Sequence, residues 1–213
     1  MSTLAPGQDA VHAQQVCSET IAVYNRMAIA YCNGTADHDV SQNINALLDA
    51  IEGDGPRVIL DFGCGPGRDL CRFVELGHEV VGLDGSSEFV DMARTKTDCQ
   101  VLHQDFLQLS LPDTHFDGIF ANASLFHVPS GQIDRVLNEL AACLKPGGVL
   151  LCSNPRGRNE EGWVGGRYGC FHDLETWRSY VTQAGFEELY HYYRPAGQPR
   201  EKQPWLVTVW RLV

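Results

Sequence analysis

The stretch Val58-Ile59-Leu60-Asp61-Phe62-Gly63-Cys64-Gly65-Pro66-Gly67-Arg68-Asp69 decides the fold. Apolar Val58, Ile59 and Leu60 lead into Asp61, and glycines then alternate at 63, 65 and 67. Leu70, Phe73 and Val74 follow with helical spacing up to Gly77. A short apolar run ended by glycine reads as a buried parallel strand, and the segment after it as an amphipathic helix. Glycine is needed where the chain turns sharply out of a strand and where a ligand must touch the backbone. The unit therefore presents bare N–H groups at the strand's carboxyl end. An ordinary tight turn uses the same residues, so the neighbouring segments carry the decision.

The spacing limits what binds there. A dinucleotide fingerprint, G-x-G-x-x-G, fails from Gly63 because Arg68 stands at its last position, and from Gly65 because Leu70 does. No G-K-[ST] follows, which excludes a phosphate-binding P-loop. D-x-G-x-G-x-G, from Asp61 to Gly67, instead resembles motif I of the class I S-adenosylmethionine (SAM)-dependent methyltransferases. Asp61, an acid just before the loop, suits a cofactor with a cationic methionine end better than a pyrophosphate. The resemblance implies that Gly63, Cys64, Gly65 and Gly67 face the cofactor. Arg68 either reaches the methionine carboxylate or caps the helix start.

Downstream, His78 to Leu83 reads as a second strand ending in Asp84, 17 residues after Gly67. An acid near that distance receives ribose hydroxyls in nucleoside-binding folds. Gly85 and Ser86 follow, are expected beside the cofactor with Asp84, and suit a helix N-terminus, with Glu88 in the first turn. A third strand, Gln100 to His103, runs into Gln104-Asp105-Phe106, all three expected beside the cofactor. In the family, the residue matching Asp105 accepts from the adenine amino group and the next packs on the ring. Phe116 to Phe120 reads as strand four and opens into Asn122 to Val128, which resembles motif IV. Asn122 is placed to hold the methionine amino group by its amide or its carbonyl. Ile133, Val136, Leu137, Leu140 and Leu144 mark an amphipathic helix stopped by Lys145-Pro146-Gly147-Gly148, a family signature before strand five at Val149 to Ser153.

The remaining segments are a polar loop from Asn154 to His172, a helix from Asp173 to Ala184, and strands at Phe186–Arg194 and Trp205–Leu212. The two strands resemble the hairpin edge of the family's sheet. The resemblance covers about residues 20 to 213. It implies a single Rossmann-like, doubly wound α/β domain whose seven-stranded sheet is mostly parallel with an antiparallel last strand and has helices on both faces.

Residues 1 to 11 are small and polar and are expected to fray. From Ala13 to about Tyr31 apolar residues recur at helical spacing, and Tyr24-Asn25-Arg26-Met27-Ala28-x-x-Tyr31 resembles the Y-D-x-x-A-x-x-Y lid of small-molecule methyltransferases. Residues 1–53 are accordingly read as a helical lid segment. Ligands in an open α/β sheet lie beyond the strands' carboxyl ends. Acceptor contacts are therefore expected from Tyr24, Tyr31 and His38 of the lid, from the loop after strand four, and from Trp163, Tyr168 and His172 of the insert 154–172. That insert either gates the acceptor, with Gly162, Gly165, Gly166 and Gly169 as hinges, or covers a hydrophobic edge. His127 is the candidate base, its pKa expected near neutrality, with a packing histidine as the alternative. Asp37, Asp39, Glu160 and Glu161 suit a cationic or amino-acid-like acceptor.

Composition narrows the class. The 213 residues carry 16 Lys and Arg against 27 Asp and Glu, a formal charge of -11. Nucleic acid and anionic membranes are bound through basic patches, so neither is expected as a partner. None of the eight cysteines forms C-x-x-C and no His spacing completes a zinc site, so no metal is expected. No apolar run reaches ~18 residues and no signal peptide is visible, which favours a soluble cytoplasmic protein. The expectation is methyl transfer from SAM to a small molecule, with protein or RNA methylation and non-catalytic SAM binding as rivals. Calorimetry tests the cofactor: SAM and its demethylated product bind, and NAD and NADP do not. Micromolar NAD binding with silent SAM titrations would contradict it.

Overall fold

A computed structural model describes residues 6–213. The opening strand β1 (Val58–Phe62) is flanked on one side by β2 (Glu79–Asp84) and β3 (Gln100–His103). On the other side lie β4 (Phe116–Asn122), β5 (Leu144–Pro155), β9 (Trp205–Leu212) and β8 (Phe186–Arg194). The order is β3-β2-β1-β4-β5-β9-β8, with every pair parallel up to β5 and β9 antiparallel to both its neighbours. Strand order reverses between β1 and β4, which opens a crevice at their carboxyl ends.

Alternation along β1 explains the two-sided core. Leu60 and Phe62 point to one face, where α5 (Ile133–Cys143) and α6 (Leu174–Gln183) supply Leu137, Leu140, Trp177 and Val181. Ile59 points to the other, against Ile44 and Leu47 of α2 (Ser41–Ala50), Leu70 and Phe73 of α3 (Arg68–Glu75) and Val90 of α4 (Ser87–Lys96). Both faces are covered, so β1 reads as an unbroken apolar run. The helix cap expected at Ser86 is present: its hydroxyl accepts from the Phe89 amide at 3.3 Å.

Three expectations change. The first helix, α1 (Pro6–Thr35), starts earlier than Ala13, so the fraying expected over residues 1 to 11 does not apply from Pro6 onward; residues 1–5 lie outside the described ones. Proline is accommodated at a first helical position, where its missing N–H has no intrahelical partner anyway. Strand five begins at Leu144, with Lys145-Pro146-Gly147-Gly148 inside its span rather than before it. The segment expected as a loop between 154 and 172 pairs into an antiparallel hairpin, β6 (Glu160–Val164) with β7 (Arg167–Phe171). Gly165 and Gly166 form its two-residue turn, with φ of 58° and 79°, a geometry that matches strand twist and favours glycine. They are turn residues and not hinges.

α1 packs across the carboxyl ends of the strands, against β7 and α4. Among the described residues no helix is long and apolar enough to cross a membrane. At the hairpin base, Asp173 caps α6 by accepting from the Thr176 amide at 2.8 Å and also accepts from Asn159 Nδ2 at 2.9 Å. Replacing Asp173 by Ala is expected to cost about 1 kcal/mol, lowering the thermal midpoint by about 2–4 °C. An unchanged midpoint would mean that neither bond matters.

Candidate functional site

Two cavities meet at the crevice between β1 and β4. The inner one is lined by Gly63, Gly65, Asp84, Gly85, Ser86, Asp105, Phe106, Ser124 and His127, and is covered by Thr20, Ile21, Tyr24 and Tyr31 of α1. The outer one is a groove of about 640 Å³ whose lining includes His38, Cys64, Arg68, Asn122, Phe126, Ser153, Arg167, Arg194 and Trp205. Tyr24, Tyr31, Gly63, Gly65 and Ala123 line both.

The Asp84 carboxylate organises the inner cavity. Its two oxygens accept from the Gly65 amide at 2.9 Å and the Ser86 amide at 2.8 Å. Burial pushes its pKa up to about 6, against the pull of those amides and of nearby His103. Each carboxylate oxygen has a second lone pair available to a ligand hydroxyl. Gly65 has φ of 54° and open space where a side chain would stand, so its backbone is bare beside the cavity. Gly63 has φ of 81°, and a Cβ there would lie 2.4 Å from Ser124 Cβ. The Ser124 hydroxyl is buried with no partner. Phe106 stacks on Phe62 at 4.2 Å, forming a flat apolar wall. Asp105 accepts from Gln14 of α1 at 2.7 Å and from the Leu107 amide at 2.9 Å. An acid for hydroxyls, an aromatic wall and a second acid suit a nucleoside, so these residues fit the adenosine part of SAM.

Other expected cofactor residues are placed differently. Asp61 lines neither cavity, because strand alternation turns it to the Ile59 face; its Oδ2 is buried unpartnered, and burial beside Asp69 raises its pKa. Gly67 caps α3 with φ of 82° and sits against Ala93, where a Cβ would come within 3.0 Å, so its role is packing. Gln104 exchanges both amide atoms with the Ser110 backbone, which turns it away from the cavity. Arg68 grips Asp69 through two bonds of 2.7 and 2.9 Å and the Thr35 carbonyl at 2.9 Å, at the edge of the groove. Asn122 accepts from Asn43 Nδ2 at 2.9 Å, and Asn43 in turn accepts from Tyr192.

His127 lies in the inner cavity, and its expected near-neutral pKa does not hold. Burial, aided by Arg167, lowers it to about 4. Its Nδ1 is 2.6 Å from the Tyr168 carbonyl, which only accepts, so Nδ1 carries the proton. Nε2 then accepts from the Tyr24 hydroxyl at 2.7 Å. Arg167 donates to that hydroxyl at 3.1 Å, with its guanidinium carbon 5.2 Å from the Tyr24 ring. The result is one directional chain from Arg167 through Tyr24 and His127 to the Tyr168 carbonyl. His127 is a neutral acceptor that orients Tyr24, not a base poised near neutrality.

The insert reaches the site through a residue that sequence reasoning missed. Trp163 and Tyr168 are cross-strand partners, their rings 5.6 Å apart, and neither lines either of these two cavities. Tyr168 is buried with Val16 and Cys170. His172 lies past β7, stacked on Trp177 at 6.3 Å, outside both cavities. Arg167 is one residue along from Tyr168, so strand alternation sends it to the other face and into the groove. The signal was available: Val164-Gly165-Gly166-Arg167 is a hairpin turn pattern, and alternation from it separates Arg167 from Tyr168. Arg194, ending β8, was also missed. Of the acids expected to suit a cation, Asp37 and Asp39 line the groove, while Glu161 bonds Ser130 and Cys170 and neither it nor Glu160 lines either cavity.

Comparison with known proteins points to methyltransferases. Residues 59–148 match a family described as a methyltransferase domain. An uncharacterized methyltransferase of Geobacillus kaustophilus is 27% identical over 152 residues, covering 68% of this chain and 71% of that protein. A trans-aconitate 2-methyltransferase of an Azoarcus species is 35% identical over 116 residues, covering 54% of this chain and 45% of that one. The chain spans 26–54% of the length of several other curated relatives. Among solved structures, Burkholderia thailandensis 1,6-didemethyltoxoflavin-N1-methyltransferase, with its namesake ligand and S-adenosylhomocysteine bound, superposes with a TM-score of 0.76 at 21% identity. That alignment covers 100% of this chain and 93% of that one, and it shows a shared fold. Asp84→Asn tests the site: the amide turns a donor toward a backbone N–H. S-Adenosylhomocysteine affinity is expected to fall at least about tenfold in a folded protein, as for loss of charge-assisted hydrogen bonds. Unchanged calorimetric affinity would remove Asp84 from the cofactor site.

Proposed function

This chain belongs to the class I S-adenosylmethionine-dependent methyltransferases, and from that premise we propose that it methylates a small-molecule acceptor held in the outer groove. The cofactor is S-adenosylmethionine, which supplies a methyl group already activated on a positively charged sulfur. The reading rests on one observation: the groove adjoins the Asp84 cavity, and Tyr24, Tyr31, Gly63, Gly65 and Ala123 line both. A molecule in the groove is thereby brought against whatever extends from the inner cavity over the glycine loop.

The chain's own part is orientation and exclusion of water. Gly63, Gly65, Asp84, Gly85, Ser86, Asp105 and Phe106 hold the adenosine end. Cys64 and Asn122 lie where the methionine end would pass, in the groove wall. Tyr24 and Tyr31 of α1 roof the junction, which narrows the lid expected over 1–53 to α1, since α2 packs in the core against the sheet. His127 acts through Tyr24, fixing where that hydroxyl points. The hairpin within 154–172 walls the groove with Arg167 rather than gating it with Trp163.

A volume of about 640 Å³ suits a small ligand. The Azoarcus and Burkholderia proteins, by their names, act on small organic molecules, which favours that class over protein or RNA. Incubation with methyl-labelled SAM and a fractionated metabolite extract tests the proposal. Label is expected in a small-molecule product, and label recovered only in protein or RNA would contradict it.

A further inference from the structure

Resting on the assignment of the groove to the acceptor, we propose that the acceptor is a small carboxylate-bearing anion gripped by Arg167 and Arg194. The protein is acidic, with a formal charge of -11, yet three arginines line this one groove. Arg68 is neutralised by its two-bond pair with Asp69. Arg167 and Arg194 have no carboxylate within salt-bridge distance among the described residues.

Both side chains are held in place by uncharged partners. Arg167 donates to the Tyr24 hydroxyl at 3.1 Å and lies over its ring. Arg194 donates to the Asp39 main-chain carbonyl at 2.6 Å. Each uses one nitrogen in this way, which leaves the rest of its planar fork for a ligand. Such a fork matches the two oxygens of a carboxylate, and being anchored it loses little freedom on binding.

The groove's remaining acids do not cancel this field. Asp37 and Asp39 are exposed at the rim, where solvent and salt screen them, and Asp39 already accepts from the Ser41 amide at 2.9 Å. The two arginines are half-buried. An anion entering the groove meets the less screened charges.

The test is calorimetric titration of the protein saturated with S-adenosylhomocysteine, using succinate and citrate, the neutral isostere succinamide, and the diamine putrescine. Succinate or citrate is expected to bind, and succinamide and putrescine to bind at least tenfold more weakly. Arg167→Gln and Arg194→Gln should each weaken carboxylate binding tenfold or more, and Arg167→Lys, which keeps the charge, by less. Retained S-adenosylhomocysteine binding shows that each variant is folded. The proposal is overturned if no carboxylate binds, if succinamide or putrescine binds as tightly, or if both glutamine variants bind carboxylate like the parent. Failure of the parent protein to bind S-adenosylhomocysteine would overturn the methyl-transfer reading itself, and this proposal with it.

Discussion

The Asp84 carboxylate is the constraint on which the rest of the site depends. It stands at the end of β2, accepts from Gly65 in the loop after β1 and from Ser86 at the start of α4, and so ties three elements at the crevice. The tie places a half-buried negative charge beside bare glycine backbone, and desolvation makes that charge costly in the free protein. A ligand that donates hydroxyls to the same oxygens relieves the cost. Affinity and loop geometry therefore share one cause.

The second element is the roof. α1 crosses the strand ends, and Gly85 accommodates it: a Cβ there would lie 2.9 Å from Ile21 Cδ1. Through α1, Tyr24 is brought between His127 and Arg167, and a helix, the loop after β4 and the β6–β7 hairpin share one hydrogen-bond chain. Ala123, in that same loop, has φ of 62°, an uncommon conformation for a residue with a side chain, and its amide is pinned to the Ser153 carbonyl at 2.8 Å. Strain of this kind persists where surrounding structure over-determines it, and here it lies where the two cavities meet.

Much of this was legible in the sequence, for local reasons. The Ser86 cap depends on an amide three residues away, the alternating glycines and Asp84 stand out by type and spacing alone, and the strands at Gln100–His103, Phe186–Arg194 and Trp205–Leu212 fall where expected. What escaped was non-local or depended on a face. His127 stood at the expected place, but its protonation is set by burial under α1, far away in sequence. Gln104 was expected beside the cofactor, yet its amide is captured by Ser110. Trp163 and Tyr168 drew attention as aromatics in a supposed loop. Pairing of β6 with β7 turned them together, out of the groove, and turned Arg167 in. Reading Gly165-Gly166 as a turn would have exposed that alternation.

The central proposal is that half-buried Asp84 carries an unfavourable charge that the cofactor's hydroxyls would stabilise. The direct measurement is a carboxyl-carbon NMR titration of Asp84, free and saturated with S-adenosylhomocysteine. In the free protein the carboxyl is expected to titrate at about 6. Donors to the charged form lower an acid's pKa, so the loaded protein should titrate about one pH unit or more lower. An ordinary carboxylate pKa in the free protein, unmoved by the ligand, would contradict the account.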